Sequence, residues 1–182
     1  MTSAPMVTVS TIISAHESPD ACIDAVQRIF PDFQPKNEII SETFPVERND
    51  IEISQEGVSP DLFIELLSEQ RILDTALDAM SLNMVGDSQR DDSLFATNFL
   101  ISRQAGLMKK VAFVLDSERT VGGVIEVAME SPDLPEWLQE ATWHPGRREI
   151  PRAVGDDISM RSDGTITEWF DKKGRSTIQS DD

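Results

Sequence analysis

Over residues 6 to 15, MVTVSTIISA, apolar and polar positions alternate, with Val7, Val9 and then Ile12 and Ile13 set among Thr and Ser. A period of two predicts a half-buried strand. The period then lengthens. Ser18 and Pro19 supply an N-cap and a first-turn residue, Asp20 suits the positive end of a helix, and Cys22, Ile23, Val26, Ile29 and Phe30 make one apolar face ahead of Pro31. This pattern predicts a helix that Pro31 stops. Residues 36 to 44 and 50 to 54 read as further strands, the second through Ile51 and Ile53, with a turn around Pro45 between them. Gly57, Ser59 and Pro60 open a second helix, whose stripe of Leu62, Phe63, Leu66, Leu67, Ile72, Leu73, Ala76, Leu77 and Met80 runs at a helical period to about Met84. A polar loop over 86 to 92 leads into three strand candidates at 94 to 102, 108 to 115 and 123 to 130.

The order is thus strand, helix, strands, helix, three strands. Strands that follow one another without crossover helices favour an antiparallel or mixed sheet, and both helices then share one face. The expected fold class is α+β, a two-layer α/β sandwich over residues 1 to 132. Beyond Pro132 the pattern shifts. Leu134, Trp137, Leu138 and Trp143 suit a short helix, Pro145, Gly146 and Pro151 punctuate a basic linker, and residues 157 to 171 read as a hairpin turning at Asp163 and Gly164. Residues 133 to 182 therefore form a small C-terminal extension, which carries all three tryptophans.

Composition narrows the classes. The chain has 182 residues, enough for one domain with an appendage, and no apolar run approaches the ~20 residues that span a bilayer. The first ten residues hold no Lys or Arg, so they lack the basic start of a secretory signal, and a cytoplasmic location is expected. Cys22 is the single cysteine, which agrees with a reducing compartment and leaves no Cys-based zinc site. The net charge of −17 opposes binding to a polyanion, but it is unevenly spread. Residues 1 to 100 hold 18 Asp and Glu against 5 Lys and Arg, whereas residues 101 to 182 hold 15 against 11. An acid-rich, Lys-poor chain of this kind suits a salt-rich cytoplasm, where a Debye length of about 3 Å at molar salt isolates a basic patch from distant acids.

Catalytic patterns are missing. His16 and His144 lie far apart in sequence and neither has a metal-ligand spacing. Asp91 and Asp92 sit in a Ser-rich polar stretch with nothing apolar to raise a carboxyl pKa, and no Ser lies in a nucleophile elbow. No catalytic residue, cofactor or metal site is expected. The candidate chemistry is instead the basic island FLISRQAGLMKK, where Arg103, Gln104, Lys109 and Lys110 fall within eight positions. Cations and an amide at this density suit phosphates and 2′-hydroxyls of structured RNA, against the simpler reading of a charged strand turn that resists aggregation. Arg71 in the second helix is a further candidate, although an ion pair within the helical layer explains it too. Gly122 and Gly123 read as a tight turn. In the extension, Arg147, Arg148, Arg152, Arg161, Lys172, Lys173 and Arg175 are interleaved with Trp143 and Trp169; bases of single-stranded RNA could stack on Trp beside Arg, but the six acids between residues 144 and 175 make docking onto a core or a partner the more natural reading.

Over roughly residues 6 to 131 the chain resembles an archaeal family of uncharacterised proteins described as predicted RNA-binding proteins. The residues that carry the resemblance are the opening strand and helix ending in IFPDF, RILDTAL, FLISRQAG where relatives show Phe-hydrophobic-Asn-Lys-Gln-Ala-Ala, and VAF followed by VGGVIEV. The resemblance implies a two-layer fold likened to double-stranded-RNA-binding domains and to the ribosomal protein that binds 5S RNA, with no catalytic residue or cofactor. The chain departs from the pattern at Ser102, Arg103 and Gly106. Arg for Lys keeps the charge and improves bidentate phosphate contact. The expected function is non-enzymatic RNA binding through Arg71, Arg103, Gln104, Lys109 and Lys110, with no DNA specificity; the alternative is a protein-interaction module or homodimer anchored by the tryptophans of the extension.

Overall fold

The computed structural model describes residues 2–36, 49–86, 94–115, 120–154, 158–160 and 166–169. Strand β1 (Met6–Ile13) pairs antiparallel with β2 (Ile51–Glu56) on one side and β5 (Val124–Ser131) on the other; β3 (Phe95–Ser102) pairs with β5 and with the two-residue β4 (Phe113–Val114). The sheet order is β2-β1-β5-β3-β4, antiparallel throughout. Period-two alternation sends Val7, Val9 and Ile13 of β1, Ile53 of β2, Phe99 and Ile101 of β3, and Ile125, Val127 and Met129 of β5 to one face, all buried. The opposite face carries Glu52, Ser54, Glu56, Glu126 and Glu130, all exposed.

Helix α1 (Pro19–Gln27) starts as expected, with the Ser18 hydroxyl accepting from the Ala21 amide at 3.4 Å. The single second helix expected from the apolar stripe is two helices, α2 (Asp61–Glu69) and α3 (Leu73–Ser81). The break has a defined geometry. Arg71 takes a left-handed φ of 58°, the Arg71 amide donates to Ser68 O and the Ile72 amide to Leu67 O, each at 3.0 Å, which is the Schellman ending of a helix. A second departure lies after β3. The strand ends in α4 (Arg103–Leu107), capped by Ser102 Oγ, which accepts from Ala105 N at 3.3 Å. Gly106, where the family resemblance expects Ala, lets α4 sit against α1: a Cβ there would lie 2.7 Å from Ala25 O.

The strand expected over 108 to 115 is reduced to β4 for a related reason. Lys109 has φ 54°, and the Val111 backbone is engaged not by a strand but by the Gln70 side chain, Gln70 Nε2 donating to Val111 O at 2.9 Å and Val111 N to Gln70 Oε1 at 2.7 Å. A phenylalanine cluster ties the layers together at this end, with Phe63 of α2 5.5 Å from Phe30 and 5.8 Å from Phe99 between ring centroids, and Phe113 5.7 Å from Phe99. The segment expected as an extension begins with α5 (Leu134–Ala141), whose Leu134 and Leu138 are fully buried in the same core as the sheet. The stretch expected as a basic linker holds a 3-10 turn, Pro145–Arg148, bound to α3. The two strands of the expected hairpin are β6 (Ile158–Met160), paired antiparallel with β7 (Ile166–Trp169), and the turn expected at Asp163 and Gly164 lies outside the described residues. The expected strand at 36 to 44, the turn at Pro45 and the loop acids Asp91 and Asp92 lie outside the described residues.

Candidate nucleic-acid interface

Three helix ends meet at one edge of the helical layer. At the end of α2, residue Gln70 holds Val111 through the paired amide contact just described, so its neighbours in sequence, Arg71 and Lys110, flank one clamp. At the end of α4, the Lys109 amide donates to Gly106 O at 2.8 Å and the Lys110 amide to Ala105 O at 3.1 Å, a second Schellman ending with Lys109 at the left-handed position. At the end of α1, Arg28 reaches across to α4, its Nη1 donating to Leu107 O at 3.1 Å while its Nε pairs with Asp24 at 2.9 Å. Arg28, Arg71, Lys109 and Lys110 are all exposed. Cations at helix C-termini also answer the partial negative charge of the last carbonyls.

Arg71 and Lys109 are the only non-glycine residues with positive φ among the described residues. A long side chain in the left-handed region costs roughly 1 to 2 kcal/mol that glycine would not. Both helices nevertheless place a cation there. The structure therefore brings together three of the residues singled out in the sequence, Arg71, Lys109 and Lys110, and adds Arg28, whose reach toward α4 depends on tertiary packing and leaves only a weak mark in the sequence, a base four residues after Asp24 near a predicted helix end.

Arg103 is a correction. It is not on the surface with the lysines but 3% exposed beneath the turn at Gly122 and Gly123. Its Nε donates to Gly122 O at 3.0 Å, its Nη1 to Thr11 Oγ1 at 2.8 Å and to Ile12 O at 2.6 Å, and its Nη2 to the Glu17 carboxylate. A guanidinium spent in this way has no face to offer a phosphate. Burial on its own would raise the Glu17 carboxyl, but the Ser14 amide and the Arg103 guanidinium outweigh it and hold the group below its ordinary value. Gly123 is fixed by this arrangement: its φ is 77°, and a Cβ there would lie 2.5 Å from Arg103 Nη2. Gln104 is exposed but points toward the same turn, its Cβ 3.4 Å from where a Cβ of Gly122 would stand, so it belongs beside Arg103 rather than beside the lysines.

On the open face of the sheet a hollow of ≈ 290 Å³ lies over this arginine, lined by Ser10, Ile12, His16, Glu52 and Glu126 among others. Its exposed carboxylates give it the wrong sign for an anion. No three His, Cys, Asp or Glu side chains are grouped to hold a metal among the described residues.

Behind the basic edge, α3 binds the segment that follows α5. Asp74 accepts from His144 Nε2 and from Arg147 Nε, each at 2.9 Å, and Asp78 pairs with Arg152 at 2.8 Å. Arg147, also buried, donates to Gln139 O at 3.3 Å and Thr142 Oγ1 at 3.0 Å. Burial would raise Asp74, but Arg147 and His144 hold it below its ordinary value; Asp78 is pushed up to about 6, because burial there outweighs Arg152 and the charge of Asp74 adds to it. Arg161, Lys172, Lys173 and Arg175 lie outside the described residues.

No family model matches the chain, and no curated protein matches it in sequence. Solved structures do match. An uncharacterised UPF0201 protein is 23% identical over 74% of this chain and 90% of its own, with a TM-score of 0.56. The fold is that of the UPF0201 proteins. The UPF0201 protein from Methanococcus jannaschii is 21% identical, covering 76% of this chain and 99% of that one at a TM-score of 0.57. The resemblance to uncharacterised archaeal proteins read from the sequence thus holds at the level of the fold. Among the described residues no helix is long and apolar enough to cross a membrane.

Proposed function

We propose that this protein is a non-enzymatic, cytoplasmic RNA-binding protein that contacts the phosphates of structured RNA with Arg28, Arg71, Lys109 and Lys110. The observation that carries the reading is the convergence of the α2 and α4 ends on the Gln70–Val111 clamp, which sets Arg71, Lys109 and Lys110 side by side at a cost in backbone strain. A left-handed position is an ordinary part of such a helix ending and is usually glycine, so the telling choice is a long cation at both of them. The exposed glutamates of the sheet, Glu52, Glu56, Glu126 and Glu130, are on the face away from the helices, and the acids beside the basic edge are Asp24, paired with Arg28, and the exposed Glu69. The sequence resemblance, which likens this fold to double-stranded-RNA-binding domains and to the 5S-RNA-binding ribosomal protein, points the same way.

A filter-binding titration of total cellular RNA tests this, with the wild type compared against Arg71→Glu/Lys109→Glu/Lys110→Glu at several salt concentrations. Phosphate contacts release counterions, so each one lost flattens the slope of log K against log salt by about 0.9 for duplex nucleic acid. Wild-type binding that falls steeply with salt, and a variant at least about tenfold weaker with a flatter slope, are expected. Equal affinity in the two proteins, or none in the wild type, overturns the reading.

A further inference from the structure

Trp143 is the only aromatic side chain among the large exposed hydrophobics of the described residues, 49% exposed where the chain leaves α5. An exposed tryptophan on a loose loop would mean little. This one is held from both sides. Thr142, its predecessor, is fully buried, donates to Leu138 O at 2.6 Å and accepts from Arg147; His144, its successor, is bound to Asp74. Arg148 lies over the indole, its guanidinium carbon 5.5 Å from the ring centroid. Asp74, the residue that anchors this turn, is in the first turn of α3, three residues along the chain from Arg71 at the end of α2. Its anchor thus ties the tryptophan to the same α2–α3 junction that carries Arg71.

We infer that Trp143 and Arg148 form a stacking platform for an unpaired nucleobase, and that the RNA bound at the basic edge carries a single-stranded nucleotide beside its duplex or loop. This inference rests on the RNA reading above. An indole offers a base a flat π-surface, and a neighbouring arginine adds charge toward the phosphate without reading sequence. The neighbouring exposed acids are Glu140 and Glu149, and Asp74 is already shared by His144 and Arg147, so Arg148 is the cation that can serve a ligand at this point. A platform built on a buried arginine and a fully buried threonine is presented in one orientation, which spares the entropy that a mobile aromatic would lose on binding. A protein partner would also bury an exposed indole. The arginine on the ring and the adjacent cationic edge favour a nucleic acid.

Fluorescence anisotropy with three labelled probes of equal charge decides it: a single-stranded oligouridine, a phosphodiester of the same length without bases, and a perfect RNA duplex. The proteins are the full chain as wild type, Trp143→Ala, Trp143→Phe and Lys109→Glu/Lys110→Glu. Wild type is expected to prefer the oligouridine over the baseless strand by roughly tenfold or more, the worth of one stacked base. Trp143→Ala abolishes that preference without weakening the baseless probe, Trp143→Phe keeps most of it, and the lysine variant weakens all three probes. If wild type binds all probes but treats oligouridine and the baseless strand alike, the platform is overturned while the RNA reading stands. If no probe binds wild type, the RNA reading falls and takes the platform with it. If Trp143→Ala leaves oligouridine affinity unchanged but converts a dimer to a monomer in light scattering, the tryptophan is a protein contact and the platform is overturned.

Discussion

Single residues of the same chemistry have opposite roles here. Arg103 and Lys109 lie six positions apart in one basic run, yet one is a buried cross-link and the other an exposed strained cation. Two substitutions separate the roles. Arg103→Met takes the guanidinium from the Glu17 carboxylate, which keeps the Ser14 amide, and from the carbonyls of Ile12 and Gly122. Removing one partner of a buried ion pair typically costs about 3 kcal/mol or more, so the urea midpoint is expected to fall sharply, with no selective change in RNA affinity of the folded protein. Lys109→Gly does the reverse. It relieves the left-handed strain, worth about 1 kcal/mol before the added flexibility of the unfolded chain is counted, so the thermal midpoint is unchanged or higher while RNA affinity drops. A lysine that served only the helix dipole would give no loss of binding.

At the scale of elements, the contact between α3 and the turn after α5 carries a pH signature. Asp78 has its carboxyl raised to about 6, so the folded state binds its proton more tightly than the unfolded state does. Stability from this group is full below its unfolded value and is lost as pH rises through about 6. Asp78→Asn does not titrate. Its stability relative to wild type is therefore expected to improve between pH 4 and pH 7, measured as the difference in denaturant midpoints; a constant difference would show that Asp78 ionises normally. Asp74 and Glu17 act in the opposite sense, since each is held below its ordinary value and loses its contribution as pH falls through the folded value.

The elements also show where pattern reading stops. The helical stripe after Gly57 continues past its break because Ile72 and Leu73 resume the apolar face, and only the polar pair Gln70 and Arg71, standing where that face should continue, marks the junction. Ser102 is likewise a legible cap, but α4 is five residues long, too short to show a period, and so hides inside a run of strand-like residues. The lost length of β4 left no local trace, since it follows from a side chain forty-one positions away.

For the whole molecule, a net charge of −17 means mutual repulsion across a small surface. Added salt screens it, with a Debye length falling from about 10 Å at 0.1 M to about 3 Å at 1 M. The thermal midpoint is therefore expected to rise from dilute buffer to molar KCl. Equal midpoints would show that the acidic excess places no strain on the fold and would remove the case for a salt-rich setting. The same screening weakens phosphate binding, so a protein suited to high salt gains from a contact that salt does not erode, which is what base stacking supplies.

The order and type of the long elements follow from the sequence by itself, because period two and period 3.6 are local properties of the chain: β1, α1, β2, β5, α5 and the pairing of β6 with β7 are all written in nearby residues. So is the sandwich class. What the tertiary structure alone decided is which cations face outward. Arg28, Arg71, Lys109 and Lys110 become one edge because three helix ends meet, and Arg103 leaves it because β1, the Glu17 turn and the glycine turn close around its guanidinium. Side-chain exposure depends on partners far away in sequence, and no local pattern records them.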